Sequence, residues 1–261
     1  MKCIEELLLD KNLVSTYHHK LSEKNLIFYD TETTGILKDF SQILQCGSVL
    51  TDEGLNTLGE QNIGCAPLPW VIPQPMAMIT NKKIDLFKSN TSHYQMMKDL
   101  QMQWKQWSAE NPAIFITYNG HAFDEELVRR QFFWNLLEPY TTNTNGNGRL
   151  DLMLMIHNIA AFFSDEISMP LFEGGPGISY KLEHLAIEHD IDAGDAHDAI
   201  ADCNLMIEMC RIIKERLPEV FQSFINISTK PGVKELLYSE DFLALGEIHR
   251  RHTFRYPVVM C

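Results

Sequence analysis

The chain has 261 residues, with 22 Lys and Arg against 35 Asp and Glu, a formal net charge of −13 at pH 7, and 45% hydrophobic residues. This is the composition of an ordinary soluble globular protein, and no apolar run approaches the roughly 18 to 20 residues that span a bilayer, so no membrane partner is expected. The acidic balance excludes tight coating of a duplex, which draws on many Lys and Arg, but leaves room for a protein that grips only a strand end.

Residues 1–20 carry Ile4, Leu7, Leu8 and Leu13 near a 3.6-residue period and predict an amphipathic helix. Acidic residues interrupt its apolar stretch and no small-residue cleavage site follows, so it does not read as a signal peptide. Leu26-Ile27-Phe28-Tyr29 is a short continuous apolar run, as expected of a strand buried on both faces. Two more strands are predicted at 42–51 and 56–65, with Asp52-Glu53-Gly54 as the turn between them. Pro67, Pro69, Pro73 and Pro75 mark a loop, and a helix rich in Met and Trp follows over 91–109. At helical spacing, Trp104 and Trp107 with Met96, Met97 and Met102 read as core more readily than as a partner surface.

Ala113-Ile114-Phe115-Ile116 is another buried strand, and helices are predicted over 122–137, 150–163, 180–188 and 197–216. The glycine-rich stretches at 143–148 and 173–177 read as loops. Three strands followed by alternating strand and helix imply an α/β fold, a mixed sheet flanked by helices. The six cysteines (3, 46, 65, 203, 210 and 261) form no C-x-x-C pair, which favours reduced, buried thiols and a cytoplasmic location. The domains expected are a helical extension over 1–24, a main domain over 25–224 and an appendage over 225–261.

Three segments carry the chemistry. Asp30 and Glu32 stand two apart at the end of a buried strand, so both carboxylates leave the same face. Like charges so close need something positive between them, and hard oxygen donors suit Mg²⁺ or Mn²⁺. Alone, D-x-E is more often a solvated strand end. Asp124 closes Thr117-Tyr-Asn-Gly-His-Ala-Phe-Asp124 at the start of a helix, where a capping role is the bland alternative. In Asp195-Ala-His197-Asp198-Ala-Ile-Ala-Asp202, Asp195 and Asp198 sit where caps belong. Asp202 lies one turn inside the helix, and His197 projects from its first turn or the preceding loop. Together these are the ingredients of two-metal phosphodiester hydrolysis, in which two ions stabilise the attacking and leaving oxygens and a His takes a proton near neutral pH.

The strings F-Y-D-T-E-T-T-G, Y-N-G-H-A-F-D and H-D-A-I-A-D, in that order, resemble the three motifs of the DEDDh (DnaQ-like) 3′→5′ exonucleases. The resemblance covers about 25–216. Further strings are similar to the nuclease domain of bacterial exonuclease I: P-Q-P with M-I-T (73–80), R-L-D-L-M (149–153), S-Y-K-L-E-H-L (179–185) and K-P-G-V-K-E-L-L (230–237). It implies an RNase H-like mixed five-stranded sheet flanked by helices, with a short C-terminal appendage, and a metal-dependent exonuclease using two Mg²⁺ or Mn²⁺ ions.

By the same resemblance Asp30 bridges both metals, Glu32 and Asp202 complete the site of the attacking water, Asp124 holds the second ion, and His197 is the general base. Thr33, Thr34, Gly35, Ile36 and Asn119 would approach the terminal nucleotide, although an ordinary turn also accounts for residues 33–36. Asp151 is either support near the site or a helix cap. His121 and Ala122 depart from the exonuclease I pattern, so no substrate contact is carried over there. Exonuclease I proteins are considerably longer, with parts that wrap the strand, so high processivity is not expected. The tail Glu247–Tyr256 mixes Arg, His and aromatics, suiting either a nucleic-acid strand or packing on the domain. Single-stranded DNA is the expected partner; the alternatives are the same chemistry on RNA or short oligonucleotides, and a non-catalytic scaffold.

Overall fold

The computed structural model describes residues 24–192, 198–249 and 251–259. The predicted helix over 1–20 lies outside the described residues, as do Asp195 and His197.

The central sheet contains β1 (Asn25–Thr33), β2 (Ile43–Thr51), β3 (Thr57–Gly64), β4 (Ala113–Thr117) and β5 (Gly148–Asp151) in the order β3-β2-β1-β4-β5. The β1–β2 and β2–β3 pairs are antiparallel, whereas β1–β4 and β4–β5 are parallel. A tight turn suffices between β2 and β3, where Asp52 accepts the Asn56 N–H at 2.8 Å. Parallel neighbours need crossovers. The first runs through α1 (Pro75–Asn81), a 3₁₀ segment (Lys83–Lys88) and α2 (His93–Trp107), and the second through α3 (Asp124–Trp134). The C-terminal half adds α4 (Leu152–Phe162), α5 (Leu182–Glu188), α6 (Ala199–Arg216), α7 (Pro218–Asn226) and α8 (Lys230–Ser239). A two-stranded hairpin of β6 (Leu243–His249) and β7 (His252–Val258) follows.

Strand periodicity sends alternate residues of β1 into two different cores. Leu26 and Phe28 join Val49, Ile114 and Ile116 in one that takes in α4, α6 and α7. Ile27 and Tyr29 join Phe115, Met96, Trp104, Leu127 and Phe132 in the other, beneath α2 and α3. The sheet is therefore covered on both sides, which is why Leu26–Tyr29 is continuously apolar. This is the mixed five-stranded RNase H-like arrangement expected. Met96, Met97 and Trp104 are buried as anticipated, while Met102 is exposed. Cys46, Cys65, Cys203 and Cys210 are buried free thiols.

Several boundaries differ from the sequence reading. The predicted helix at 150–163 begins as β5, because only four residues pair with β4 before Asp151 caps α4. The proline-rich loop ends in a helix: Pro75 occupies the first turn of α1, where its missing N–H costs nothing. α7 packs onto the core, with Phe221 and Ile225 buried. The tail packs on the domain as a hairpin, and the Gly246 N–H donates to Asn158 Oδ1 at 3.2 Å. Arg251 and Arg255 lie over Phe172 and Phe162 of the chain itself, so these two cations are engaged internally. Among the described residues, no helix is long and apolar enough to cross a membrane.

Candidate active site

The parallel strands β1, β4 and β5 end at the same edge of the sheet, and the predicted carboxylates gather there. Asp30 and Glu32 leave β1 toward α6. One ligand oxygen from each of Asp30, Glu32 and Asp202 lies within 4.8 Å of the others. Only oxygen donors make up this group, which fits a hard divalent cation such as Mg²⁺ or Mn²⁺ better than a thiophilic one. Asp124 stands outside this triad but close enough to act on the charge of Asp30. It is buried at the first residue of α3 and accepts a hydrogen bond from Thr31 Oγ1.

The electrostatics state the same requirement. Burial, then repulsion from Asp124, Asp202 and Glu32, pushes the Asp30 carboxyl well above the usual carboxylate range. Burial raises Glu32 to about 8, with Lys83 opposing, and burial raises Asp124 to about 6 against the hydrogen bond from Thr31. Four carboxylates converging in a poorly solvated corner are unfavourable unless a cation offsets them. The donor set therefore fits a divalent metal.

The close approach of α6 to β1 depends on a residue that the sequence reading passed over. Gly47 pairs with Asp30 across the β1–β2 ladder. A Cβ at Gly47 would stand 2.6 Å from the Ala199 carbonyl carbon and 2.7 Å from the Ile200 nitrogen. The bare backbone lets the first turn of α6 lie on β2, and this brings Asp202 beside Asp30. Asp198 caps that turn as expected, accepting the Ile200 N–H at 3.1 Å, but it does more. It also accepts from Lys83 Nζ at 2.9 Å and Gln45 Nε2 at 3.3 Å. Burial works against the Asp198 charge, and these donors nevertheless hold its pKa below the usual value. Lys83 thus brings the positive charge that acts on both Asp198 and Glu32. Lys83 in Asn81-Lys82-Lys83 gives no sequence signal for this.

A second network ties β1 to α3. Tyr29 Oη donates to the buried Glu125 carboxylate at 2.6 Å, Thr142 donates to it as well, and Arg149 Nη1 donates at 3.0 Å. Tyr29 and Glu125 are the chain neighbours of Asp30 and Asp124, so this contact fixes the two acidic segments relative to each other. Asp151 resolves the two alternatives by filling both roles. Oδ1 accepts the Met153 N–H at 3.1 Å as a helix cap and the Asn119 N–H at 2.8 Å, while Oδ2 accepts the His121 N–H at 3.1 Å. Asn119, exposed and left-handed at φ 57°, is held in its turn by this carboxylate.

The turn after β1 is more than an ordinary exit. Thr33 Oγ1 donates to the Gly35 carbonyl at 2.8 Å, and the buried Thr34 accepts the Gln42 N–H at 2.8 Å. Gln74, just before α1, donates its N–H to the Thr34 carbonyl at 2.7 Å and accepts the Ile36 N–H through Oε1 at 3.2 Å. Ile36 itself is 75% exposed, an apolar side chain held out to solvent.

A scan of protein-family models finds no match. Among curated proteins, the chain is 29% identical over 227 residues to exodeoxyribonuclease I of Buchnera aphidicola subsp. Schizaphis graminum, covering 85% of this chain and 46% of that protein. It is 27% identical over 233 residues to exodeoxyribonuclease I of Escherichia coli K12, covering 82% and 45%. The solved zinc-bound form of the E. coli ExoI–ssDNA complex matches with a TM-score of 0.73 at 26% identity, covering 82% of this chain and 45% of that one. The chain thus spans less than half the length of these relatives. The likeness to DEDDh exonucleases, and to exonuclease I among them, is borne out.

Proposed function

We propose that this chain is a metal-dependent 3′→5′ exonuclease acting on single-stranded DNA. The observation that carries the reading is the convergence of Asp30, Glu32 and Asp202 within 4.8 Å at the carboxyl ends of the parallel strands, with buried Asp124 beside them. The relatives named exodeoxyribonuclease I, and the ssDNA in the E. coli complex, support the substrate. Residues 25–224 form the exonuclease domain in this reading, and 225–261 its appendage.

Asp30, Glu32 and Asp202 would hold one Mg²⁺ or Mn²⁺ ion, and Asp30 with Asp124 a second. Such ions supply Lewis-acid stabilisation of the charge that develops on the phosphate and favour ionisation of the attacking water. The chain's own groups orient the strand end. The backbone of Thr33, Thr34 and Gly35 lies along the terminal nucleotide, Ile36 packs against its base, and Asn119 contacts it from the other side. His197 removes the proton from the attacking water, a task suited to a group of pKa about 6.5.

The test is release of mononucleotides from 3′-labelled and 5′-labelled single strands of DNA and matched RNA, with Mg²⁺, Mn²⁺ or EDTA. Stepwise shortening from the 3′ end that needs metal, runs faster on DNA and disappears in Asp30→Ala is expected. Faster cleavage of RNA would replace DNA as the substrate, and no release from any strand would leave a binding scaffold.

A further inference from the structure

Basic side chains are scarce in this chain, yet several line one open cleft of about 500 Å³. Its walls include His121, Arg149, Thr229, Lys230, Lys234 and Tyr238, and no Asp or Glu. One wall is the edge strand β5 and the turn after β4; the other is α8. The two are joined closely: the Arg149 N–H donates to the Ser228 carbonyl at 2.8 Å, and a Cβ on Gly148 would come within 2.7 Å of Ser228 Oγ.

Lys230, Lys234 and Tyr238 recur every four residues and so share one face of α8. All three are exposed, and among the described residues neither lysine is within ion-pair distance of a carboxylate. Lys234 Nζ lies 5.7 Å from the Tyr238 ring centre. Arg149 is partly committed to Glu125, so the uncommitted charge is that of the lysines. His121, in the cleft wall, lies in the turn before Asp124, and its N–H donates to Asp151, whose charge acts on Asp124.

We propose that this cleft is the track for the backbone of the strand whose 3′ end occupies the carboxylate site, with Lys230 and Lys234 each meeting a phosphate and Tyr238 offering its ring to a base. The proposal rests on the exonuclease reading above. On a chain of net charge −13, a strip with uncommitted lysines and no carboxylate in its lining attracts a polyanion, so charge favours this occupant and route. The lysines stand about 6 Å apart along the helix axis, from the 1.5 Å rise per residue, a separation that two neighbouring phosphates of an extended strand can match. An aromatic ring at the end of a row of cations is the usual provision for a single strand, because every base has a face to stack.

The experiment compares the protein with the charge-reversed pair Lys230→Glu/Lys234→Glu and the neutral pair Lys230→Gln/Lys234→Gln. Binding of a 5′-labelled DNA dodecamer is read by fluorescence anisotropy in EDTA over a range of NaCl. Both lysines are exposed, so all three proteins should melt alike. The expected result is weaker binding at low salt, at least tenfold for the reversed pair. For the neutral pair, the slope of log affinity against log salt should become shallower by roughly 1.4, from about 0.7 per single-strand phosphate contact. With Mg²⁺ present, KM should rise for the dodecamer and lose its dependence on oligomer length. An unchanged slope and unchanged length dependence in both variants would overturn the cleft. Failure of the parent protein to hydrolyse any strand would instead remove the exonuclease reading, and the EDTA binding arm would still report on the cleft.

Discussion

At the residue scale, single side chains hold the site in shape, and two of them give sharp expectations. Asp151 accepts three backbone N–H groups from a buried position. Asp151→Asn turns one oxygen into a donor facing an N–H, so a loss of about 1–3 kcal/mol in stability is expected. It should also raise KM through the loosened Asn119 turn more than it lowers kcat; steady-state kinetics beside chemical denaturation checks both. His93 Nε2 lies 2.7 Å from Gln131 Oε1, which already accepts the Ile43 N–H at 2.9 Å. The ring must therefore donate from Nε2, and burial lowers its pKa. As pH falls, the unfolded chain binds this proton first, so His93 contributes stability that is present above about pH 6.5 and lost as pH drops through the lower folded value. His93→Gln should flatten that part of the stability–pH curve; an unchanged slope would show that other groups cause it.

At the scale of elements, the site is a product of how closely β2 and α6 approach. Gly47 lies under the Ala199–Ile200 backbone, and no flexible side chain there can give way. Gly47→Ala should therefore push the first turn of α6 outward and cost about 1–3 kcal/mol, the range for overpacked cores. Because Asp202 rides on that turn, activity is expected to fall on the order of 100-fold, as a displacement near 1 Å can cause. Activity near the parent level would show that α6 reaches Asp30 by other means. Long elements with a clear period, such as α2 and α6, were legible in the sequence. β5 was not, since a four-residue strand running directly into α4 carries no period of its own. The same brevity hid α1 and the 3₁₀ segment that delivers Lys83 to Asp198.

For the whole molecule, the carboxylate corner is a source of instability that a bound cation would relieve. A divalent ion at 100 times its dissociation constant should stabilise the fold by about 2.7 kcal/mol. For a domain of this size that is roughly 5–10 °C in Tm, at about 2–4 °C per kcal/mol. Asp30→Asn should abolish this shift while raising the Tm of the metal-free protein, since it removes one of the crowded charges. Thermal melts with Mg²⁺, Mn²⁺ and EDTA decide the matter; a parent protein indifferent to metal would dismiss the ion site. Against the net −13, the lining of the α8 cleft stands out for holding basic residues and no Asp or Glu.

The sequence by itself marked the buried strands β1, β2 and β4, a sheet flanked by helices and the acidic segments that are candidates for the chemistry, because apolar periodicity and the ordered motifs are local properties of the chain. It also placed Asp124 and Asp198 at helix starts, where short-range capping chemistry decides. Only the tertiary structure decided that Gly47 makes room for α6, that Lys83 serves Asp198, that Glu125 joins Tyr29 to the segment of Asp124, and that α8 closes a cleft against β5. Each of these joins residues far apart in the chain. Their partners are chosen by packing across the sheet, and spacing along a sequence carries no record of that distance.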